Sequence, residues 1–538
     1  MIVLLPMGRR ISILLLCTLF FFNCANRGTA SGGIKDIIPP IIIKEEPQNF
    51  SINFSSDEIK IYFNEYIKLK NLQKQLIISP PMDPQPEITP MGSASKIITI
   101  KIYDTLQPNS TYAFNFGNSI EDNNEGNTFP FYRYVFSTGP TIDSLSVSGL
   151  ISDALELETS EKISVHLHEI DSTYNDSIIF KQKPKYIGVT DSLSKFIISN
   201  IKAGQYLLTA LEEENINYTF QQKKDKIAFR SKFVTIPSDT AYVLKLFKQR
   251  PEFKFVRARQ LAQGRIGFGY EGDPSSMQIK GISDVFDSLA VMTSKEPNKD
   301  TLNLWIRPRE LKVDSLLFEV LDKEKKDTIN VRTSKMKNDS LTFSALSTSL
   351  KLGNLFKISS SIPIIEVDPS KTIIIDQDSI YIDSHLSIDE LKNTQVNLKF
   401  DLNEDNRYKV TFMPGAFIDF YGNQNDTLNF NANTKKLSSY GNLRLNLSNA
   451  TYPLIVQIIS ANGKVKSEKT VNESKPVDFI NLDPGEYFIR AIFDLNKNGR
   501  YDAGNYLKKV QPERVSYAKE ILEIRAGWDS VEDFFLED

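Results

Sequence analysis

The chain has 538 residues, of which 24% are charged, 41% hydrophobic and 11% aromatic, and its formal net charge is −3. Such a length exceeds one hydrophobic core and predicts several domains; the aromatic content argues against extended disorder, and the lack of a basic surplus argues against a nucleic-acid partner. Cys17 and Cys24 are the only cysteines and there are three histidines, so the rest of the chain has no disulfide, thiol nucleophile or cysteine-based metal site.

Arg9 and Arg10 precede the apolar run Ile11 to Phe22, the charge and length pattern of a secretory signal. The run is too short for a membrane span, which takes about 20 residues. It ends on Phe21-Phe22-Asn23-Cys24, with a cysteine where a small-residue cleavage site would stand. This resembles a bacterial lipoprotein signal with the loose lipobox of Bacteroidetes. The resemblance implies that residues 1–23 are removed, that Cys24 is the lipidation site, and that acyl chains on it anchor the protein to the membrane. Residues 24–38 are small, polar and Gly-rich, which reads as a flexible tether. No acidic residue occurs in Ala25 to Thr29. Under the same resemblance, that favours the periplasmic face of the outer membrane over the cell surface.

From there on, short runs alternate apolar and polar residues, as in Glu58 to Phe63 and Lys96 to Ile102. Period two with almost no 3.6 periodicity predicts an all-β chain of tandem antiparallel β-sandwich domains. In residues 39–140, Leu106-Gln-Pro-Asn-Ser-Thr-Tyr112 is followed by Asp122, Gly126-Asn127 and Tyr134-Val-Phe-Ser-Thr138. Tyr112, Phe114 and Phe116 alternate onto one face and are expected to fill a core, while the Asp122 to Asn127 side chains are expected to satisfy turn backbone. The pattern resembles the bacterial Ig-like domain named after an S-layer protein. A weaker copy, from Tyr408 through Asp419 and Gly422-Asn423 to Thr434, implies a second, degenerate Ig-like sandwich at residues 350–436.

Asn200-Ile-Lys-Ala-Gly-Gln-Tyr206, with Ala210, Glu213, Asn215 and Asn217, lines up with Asn481-Leu-Asp-Pro-Gly-Glu-Tyr487, with Ala491, Asp494, Asn496 and Asn498. All of these pairs share one fixed offset, the signature of a duplication. Each copy resembles the closing half of a transthyretin-like or carboxypeptidase regulatory-like sandwich. Residues 141–250 and 437–538 are assigned to such domains, with Gly204 and Gly485 expected to supply a positive φ. Residues 251–349 are β-rich and of unknown type. At the end of the chain, Ile521 to Arg525 reads as the last strand, followed by an acidic docked tail.

The candidate metal site is Asp494, Asn496, Asn498 and Asp502, with Gly499 at the sixth position. This matches the first part of a calcium loop, in which oxygen ligands surround a sharp turn. An acid is missing at the twelfth position, where Asn505 stands. Calcium is therefore the one cofactor the sequence suggests, and a metal-free Asx-rich hairpin is the other reading of the same residues. His166 and His168 share one face of a strand with zinc-chelating spacing but lack a third ligand, and are expected to face solvent. No Gly-x-Ser-x-Gly elbow or Gly-rich phosphate loop is present. Trp305, Tyr270 and Trp528 are aromatics that either stack on sugar rings or pack in cores. The whole resembles Ig-like-domain lipoproteins of Bacteroidetes. It implies a non-catalytic cell-envelope lipoprotein acting as a structural or adhesive module, with a protein or glycan partner; a carbohydrate-binding accessory protein is the alternative.

Overall fold

The computed structural model describes residues 36–537, apart from residues 323 and 324. Cys17, Cys24 and most of the tether lie outside the described residues. The chain divides after Ser144 into two compact units. The regular secondary structure of both is almost wholly strand, and most strands pair antiparallel. Among the described residues no helix is long and apolar enough to cross a membrane.

In the first unit, the strands Ile42–Glu46, Glu58–Leu69, Ser95–Lys101 and Glu87–Thr89 form one sheet in that order. Ile77–Ser79, Thr111–Asn115 and Arg133–Ser137 form the other. Period-two alternation sends Ile59, Ile61 and Phe63 inward from one sheet and Tyr112, Phe114 and Phe136 from the other, into a single core that also holds Phe116. Phe54 stacks on Phe136 with ring centroids 3.9 Å apart. Both carboxylate oxygens of Asp122 accept backbone N–H bonds, from Asn124, Glu125 and Gly126 on one and Asn127 on the other. This aspartate therefore shapes the loop, as its sequence position suggested.

The second unit contains the duplicated pattern. Residues 145–246 pair Lys195–Ile201, Leu145–Asp153 and Ala241–Leu246 in one sheet. The facing sheet runs Tyr186–Val189, Ser164–Glu169, Gly204–Glu212, Lys226–Phe229, and Val234–Ile236 also pairs with Gly204–Glu212. Residues 441–535 repeat this order strand for strand. Val477–Leu482, Gly441–Ser448 and Asp529–Phe535 face Val465–Val471, Leu454–Ile459, Gly485–Phe493 and Val515–Tyr517, with Leu522–Ile524 on Gly485–Phe493. In both, the first and last strands of the sandwich lie side by side and parallel. The expected docked tail is thus a seven-residue strand, because Phe534 and Leu536 carry apolar side chains into the core despite the acidic residues around them.

At the turn of the repeat the expected positive φ is found at Gly485 and not at Gly204. Left-handed backbone is adopted by Asn200 (φ 61°) and Asn481 (φ 56°), and Gly204 does not share it, whereas Gly485 has φ 151°. Tyr206 folds back so that its hydroxyl donates to the Lys202 carbonyl at 3.0 Å, and Tyr487 does the same to Asp483 at 2.7 Å. Each ring passes over its glycine, where a Cβ would sit 3.4 Å and 3.8 Å from it, respectively.

The Ig-like pattern is also structurally repeated. Phe343–Ala345, Phe356–Ser360, Gln395–Phe400 and Ser384–Ile388 follow the strand order of the first sandwich, opposite Thr372–Ile375, Arg407–Phe412 and Leu428–Thr434. Tyr112 Oη accepts from the Gln107 N–H at 2.9 Å, and Tyr408 Oη from the Asn403 N–H at 2.6 Å. Thr138 and Thr434 each donate to the carbonyl of that same residue. Between the repeats, residues 254–332 form two further sheets around Phe268, Phe318 and Val320.

The sandwiches of the second unit do not form a row of separate beads. Trp305 packs with Ile362 and Phe420, joining residues 254–332 to the second Ig-like sandwich. Lys351 and Lys435 both pair with Asp483, joining that sandwich to the last. Finally the last sandwich returns to the sandwich of residues 145–246 through Tyr506.

Candidate functional site

The segment after strand Gly485–Phe493 combines the candidate metal loop with this return contact. Asp494 is buried, and its two oxygens accept the N–H groups of Asn498 (3.0 Å) and Gly499 (2.8 Å). The side-chain amides of Asn496 and Asn498 both donate to Asp502 Oδ2. The Asp502 N–H donates to Glu513 Oε2 at 2.9 Å, and burial beside Asp502 and Asp494 raises the Glu513 pKa. The four predicted residues are therefore brought together. Their oxygens are engaged with the loop's own donors, and among the described residues no group of three or more His, Cys, Asp or Glu is arranged to hold a metal ion.

The corresponding loop of the first copy has the same frame. Glu213 Oε1 accepts the N–H groups of Asn217 (2.9 Å) and Tyr218 (2.7 Å), the residues four and five positions on, as for Asp494. Tyr218 takes φ 62° where Gly499 takes φ 73°. A carboxylate that gathers two consecutive N–H groups is thus enough to fold this loop, with or without glycine.

Beyond the loop the chain inserts Tyr506, fully buried, among Leu207, Leu211, Ile227, Phe229 and Phe247 of the earlier sandwich. The Tyr506 N–H donates to Gln249 Oε1 at 3.0 Å, and Lys509 pairs with Asp176 at 2.6 Å. Gly504 lies flush on Phe247, since a Cβ there would come within 2.6 Å of the ring. Arg490 Nη1 and Tyr517 Oη both donate to the Leu155 carbonyl, at 3.0 and 2.6 Å, extending the contact.

Tyr506 covers one end of a second buried layer, on the side of the sheet away from the sandwich core. Strand Ser164–Glu169 sends Val165 and Leu167 into the core, which leaves Ser164, His166 and His168 on the other face. That face was expected to meet solvent, yet both imidazoles are only 1% exposed. Apolar residues in the neighbouring segments, Ile178, Ile179, Phe180 and Phe220, form a cover over it, and Tyr218 packs edge-on against His166. Those clusters are visible in the sequence, but which face they cover is set by the fold. Burial holds the His168 pKa down at about 4, and burial together with His168 lowers that of His166 well below its usual value. His166 Nε2, both ring nitrogens of His168 and Thr209 Oγ1 have no hydrogen-bond partner among the described residues.

Of the aromatics, Trp305 is buried, donating its indole N–H to Ser294 at 2.8 Å, and Tyr270 is buried in the core of residues 254–332. Trp528 is 59% exposed, with the Arg525 guanidinium 5.4 Å from its ring centroid. A shallow cavity elsewhere in the unit is lined by Arg265, Arg309, Lys312 and Lys335 with Glu310 and Asp314. Arg265 there is paired with Asp339 at 2.9 Å, and Arg309 lies over the Tyr421 ring at 3.8 Å.

No curated protein sequence matches the chain. Among solved structures, surface layer protein SbsC, domains 1–6, is 12% identical over 90% of this chain and 67% of its own, with a TM-score of 0.16. The Bacillus anthracis TIE protein is 12% identical over 94% of this chain and 76% of its own, at 0.13. Titin domains A168–A170 are 10% identical over 52% and 99%, at 0.14. Residues 36–138, the first sandwich with its aspartate-shaped loop and tyrosine-anchored turn, match the family model of the bacterial Ig-like domain.

Proposed function

We propose that this chain is a non-catalytic, lipid-anchored protein of the cell envelope that acts as a structural or adhesive module. The observation that carries the reading is the return contact of Tyr506. By tying the last sandwich to residues 145–246, it gives four successive sandwiches one set of fixed outer surfaces, which suits a scaffold or a docking platform. The bacterial Ig-like match at residues 36–138 supports the same class. In this reading Cys24 carries the acyl chains, the body is held at the periplasmic face of the outer membrane, and its partner is a protein or a glycan.

Fractionation tests the anchor. The parent is expected in the membrane fraction and Cys24→Ala in the soluble envelope fraction; a cytosolic parent, or a Cys24→Ala variant that stays with membrane, overturns the reading. Protease shaving of intact cells tests the face, with protection expected.

A carbohydrate-binding accessory role is the second reading, and it rests on Trp528, whose exposed ring on the last sandwich suits stacking against a sugar. Saturable binding on a glycan array that is lost in Trp528→Ala would establish it; an array without saturable binding would remove it.

A further inference from the structure

His166 and His168 are tolerated in the covered layer only while they are neutral. Each is 1% exposed, and His166 Nε2, both ring nitrogens of His168 and Thr209 Oγ1, across the register from His166, lack a hydrogen-bond partner among the described residues. A proton taken up there places a charge among apolar side chains, which is strongly disfavoured.

The surrounding groups are already engaged. Glu213 accepts the N–H groups of Asn217 and Tyr218 and the Ser164 hydroxyl at 2.8 Å. At the strand ends, Glu169 is paired with Lys185 and Glu212 with Lys226. In the cover, Asp176 is paired with Lys509 and accepts the Tyr174 hydroxyl, and Asp225 accepts the Gln221 N–H at 2.7 Å. Burial raises the pKa values of the three phenols, Tyr174, Tyr218 and Tyr506, so they stay neutral. Asp171, Lys181, Glu214, Lys223 and Lys224 are exposed.

The cover is separable from the sandwich beneath it. The core holding Val165 and Leu167 lies on the other face of the sheet, and the histidine strand is flanked on both sides by Tyr186–Val189 and Gly204–Glu212. The cover itself is made of residues 174–180 and 218–220, tied together by the Phe220 N–H donating to the Ile179 carbonyl at 2.8 Å, and of Tyr506 from the last sandwich. None of these lies in a sheet strand.

We propose that His166 and His168 are an acid-operated release for the last sandwich: when the two rings take up protons the cover lifts and Tyr506 withdraws, while the strands and core of residues 145–246 stay folded. The inference rests on the return contact alone, so the anchor at Cys24 can fail without touching it.

Burial keeps both closed-state pKa values below the ordinary 6.5, His168 at about 4, and lifting the cover restores them. The opening equilibrium therefore grows about tenfold per histidine for each pH unit below 6.5, continuing to about pH 4 for His168. Glu213, raised by burial, holds its proton better when closed and takes back at most about tenfold per unit.

Hydrogen–deuterium exchange of the full chain between pH 6.5 and 4.5, corrected for the intrinsic pH dependence of amide exchange, tests this. Residues 174–180, 218–220 and 503–509 are expected to lose protection reversibly by at least about a hundredfold over that range. Strands Ser164–Glu169 and Gly204–Glu212 are expected to keep theirs, as are residues 36–138, which contain no histidine. His166→Asn and His168→Asn are each expected to reduce the loss by about tenfold per pH unit, and Glu213→Gln to enlarge it. Should an Asn variant fail to fold, the parent and Glu213→Gln carry the test. Cover protection that does not change with pH, cover and strands losing protection together, or a parental response undiminished in the double Asn variant overturns the proposal.

Discussion

The Tyr506 ring meets Phe229 edge-on, with centroids 5.3 Å apart and planes at 89°, although 277 positions separate the two residues in sequence. Deleting a buried aromatic side chain costs about 3–5 kcal/mol. Tyr506→Ala is expected to lower the stability of residues 145–538 by about 3 kcal/mol. Because the ring closes the contact between the earlier and last sandwiches, it is also expected to split one cooperative denaturant transition into two. Urea unfolding followed by Trp528 and by far-UV circular dichroism reads both effects; coincident, unshifted transitions would mean that the plug contributes nothing.

Asp494 holds two N–H groups of its loop, as Glu213 does in the other copy. A carboxylate in such a capping role is worth about 1–2 kcal/mol. Asp494→Ala is therefore expected to cost about that much in the presence of a chelator. Calcium at ten times its dissociation constant would add about 1.4 kcal/mol to the parent alone. Thermal melts of parent and variant, with and without calcium, separate the two contributions, and a parent that melts identically in both conditions leaves the loop a metal-free hairpin.

Acid is expected to weaken the second unit. His166 and His168 have folded pKa values below the unfolded 6.5, so between those values the unfolded chain binds more protons and stability rises with pH. Equivalently, stability is lost as pH falls from 6.5, and for His168 the loss continues to about pH 4. At about 1.4 kcal/mol per pH unit, His168 alone accounts for about 3 kcal/mol. Glu213, whose pKa burial raises, acts in the opposite sense: its contribution is present at low pH and is lost as pH rises above 4.5. Replacing each histidine by Asn is expected to flatten the dependence of the melting midpoint between pH 6.5 and 4.5.

A chain ending at Trp528 is expected to lose the last sandwich. Phe534 and Leu536 are buried in its core, worth about 1.5–3 kcal/mol each in burial, and seven register pairs to Gly441–Ser448 go with them. Limited proteolysis checks this, with new cleavage expected between residues 441 and 528 while residues 36–138 stay resistant.

The strands were legible wherever alternation was strict, as at Glu58 to Phe63, Lys96 to Ile102 and Tyr112 to Phe116. The acidic end of the chain hid its strand, because Asp529, Glu532 and Asp533 mask an inward alternation carried by Phe534 and Leu536 alone. The loop at Asp494 was legible as a cluster, since Asx residues at alternate positions have a local physical reason to gather N–H groups. The buried histidines were not. Period two places them on the face opposite the core, but whether water or protein covers that face depends on residues 178–180 and 218–220, which sequence alone does not fold over the sheet. Nor was the Tyr506 contact visible, since no local pattern encodes a plug for a distant sandwich.

The parallel pairing of first and last strands has a mechanical consequence. In each duplicated sandwich the chain enters on one strand and leaves on its parallel neighbour, Leu145–Asp153 beside Ala241–Leu246 and Gly441–Ser448 beside Asp529–Phe535. Tension applied at the two ends of such a sandwich therefore pulls the partners along their length, loading six or seven residue pairs together in shear. An antiparallel hairpin pulled at its two ends would instead unzip rung by rung. A protein tethered at one end and gripped at the other would resist extension most strongly at these two places.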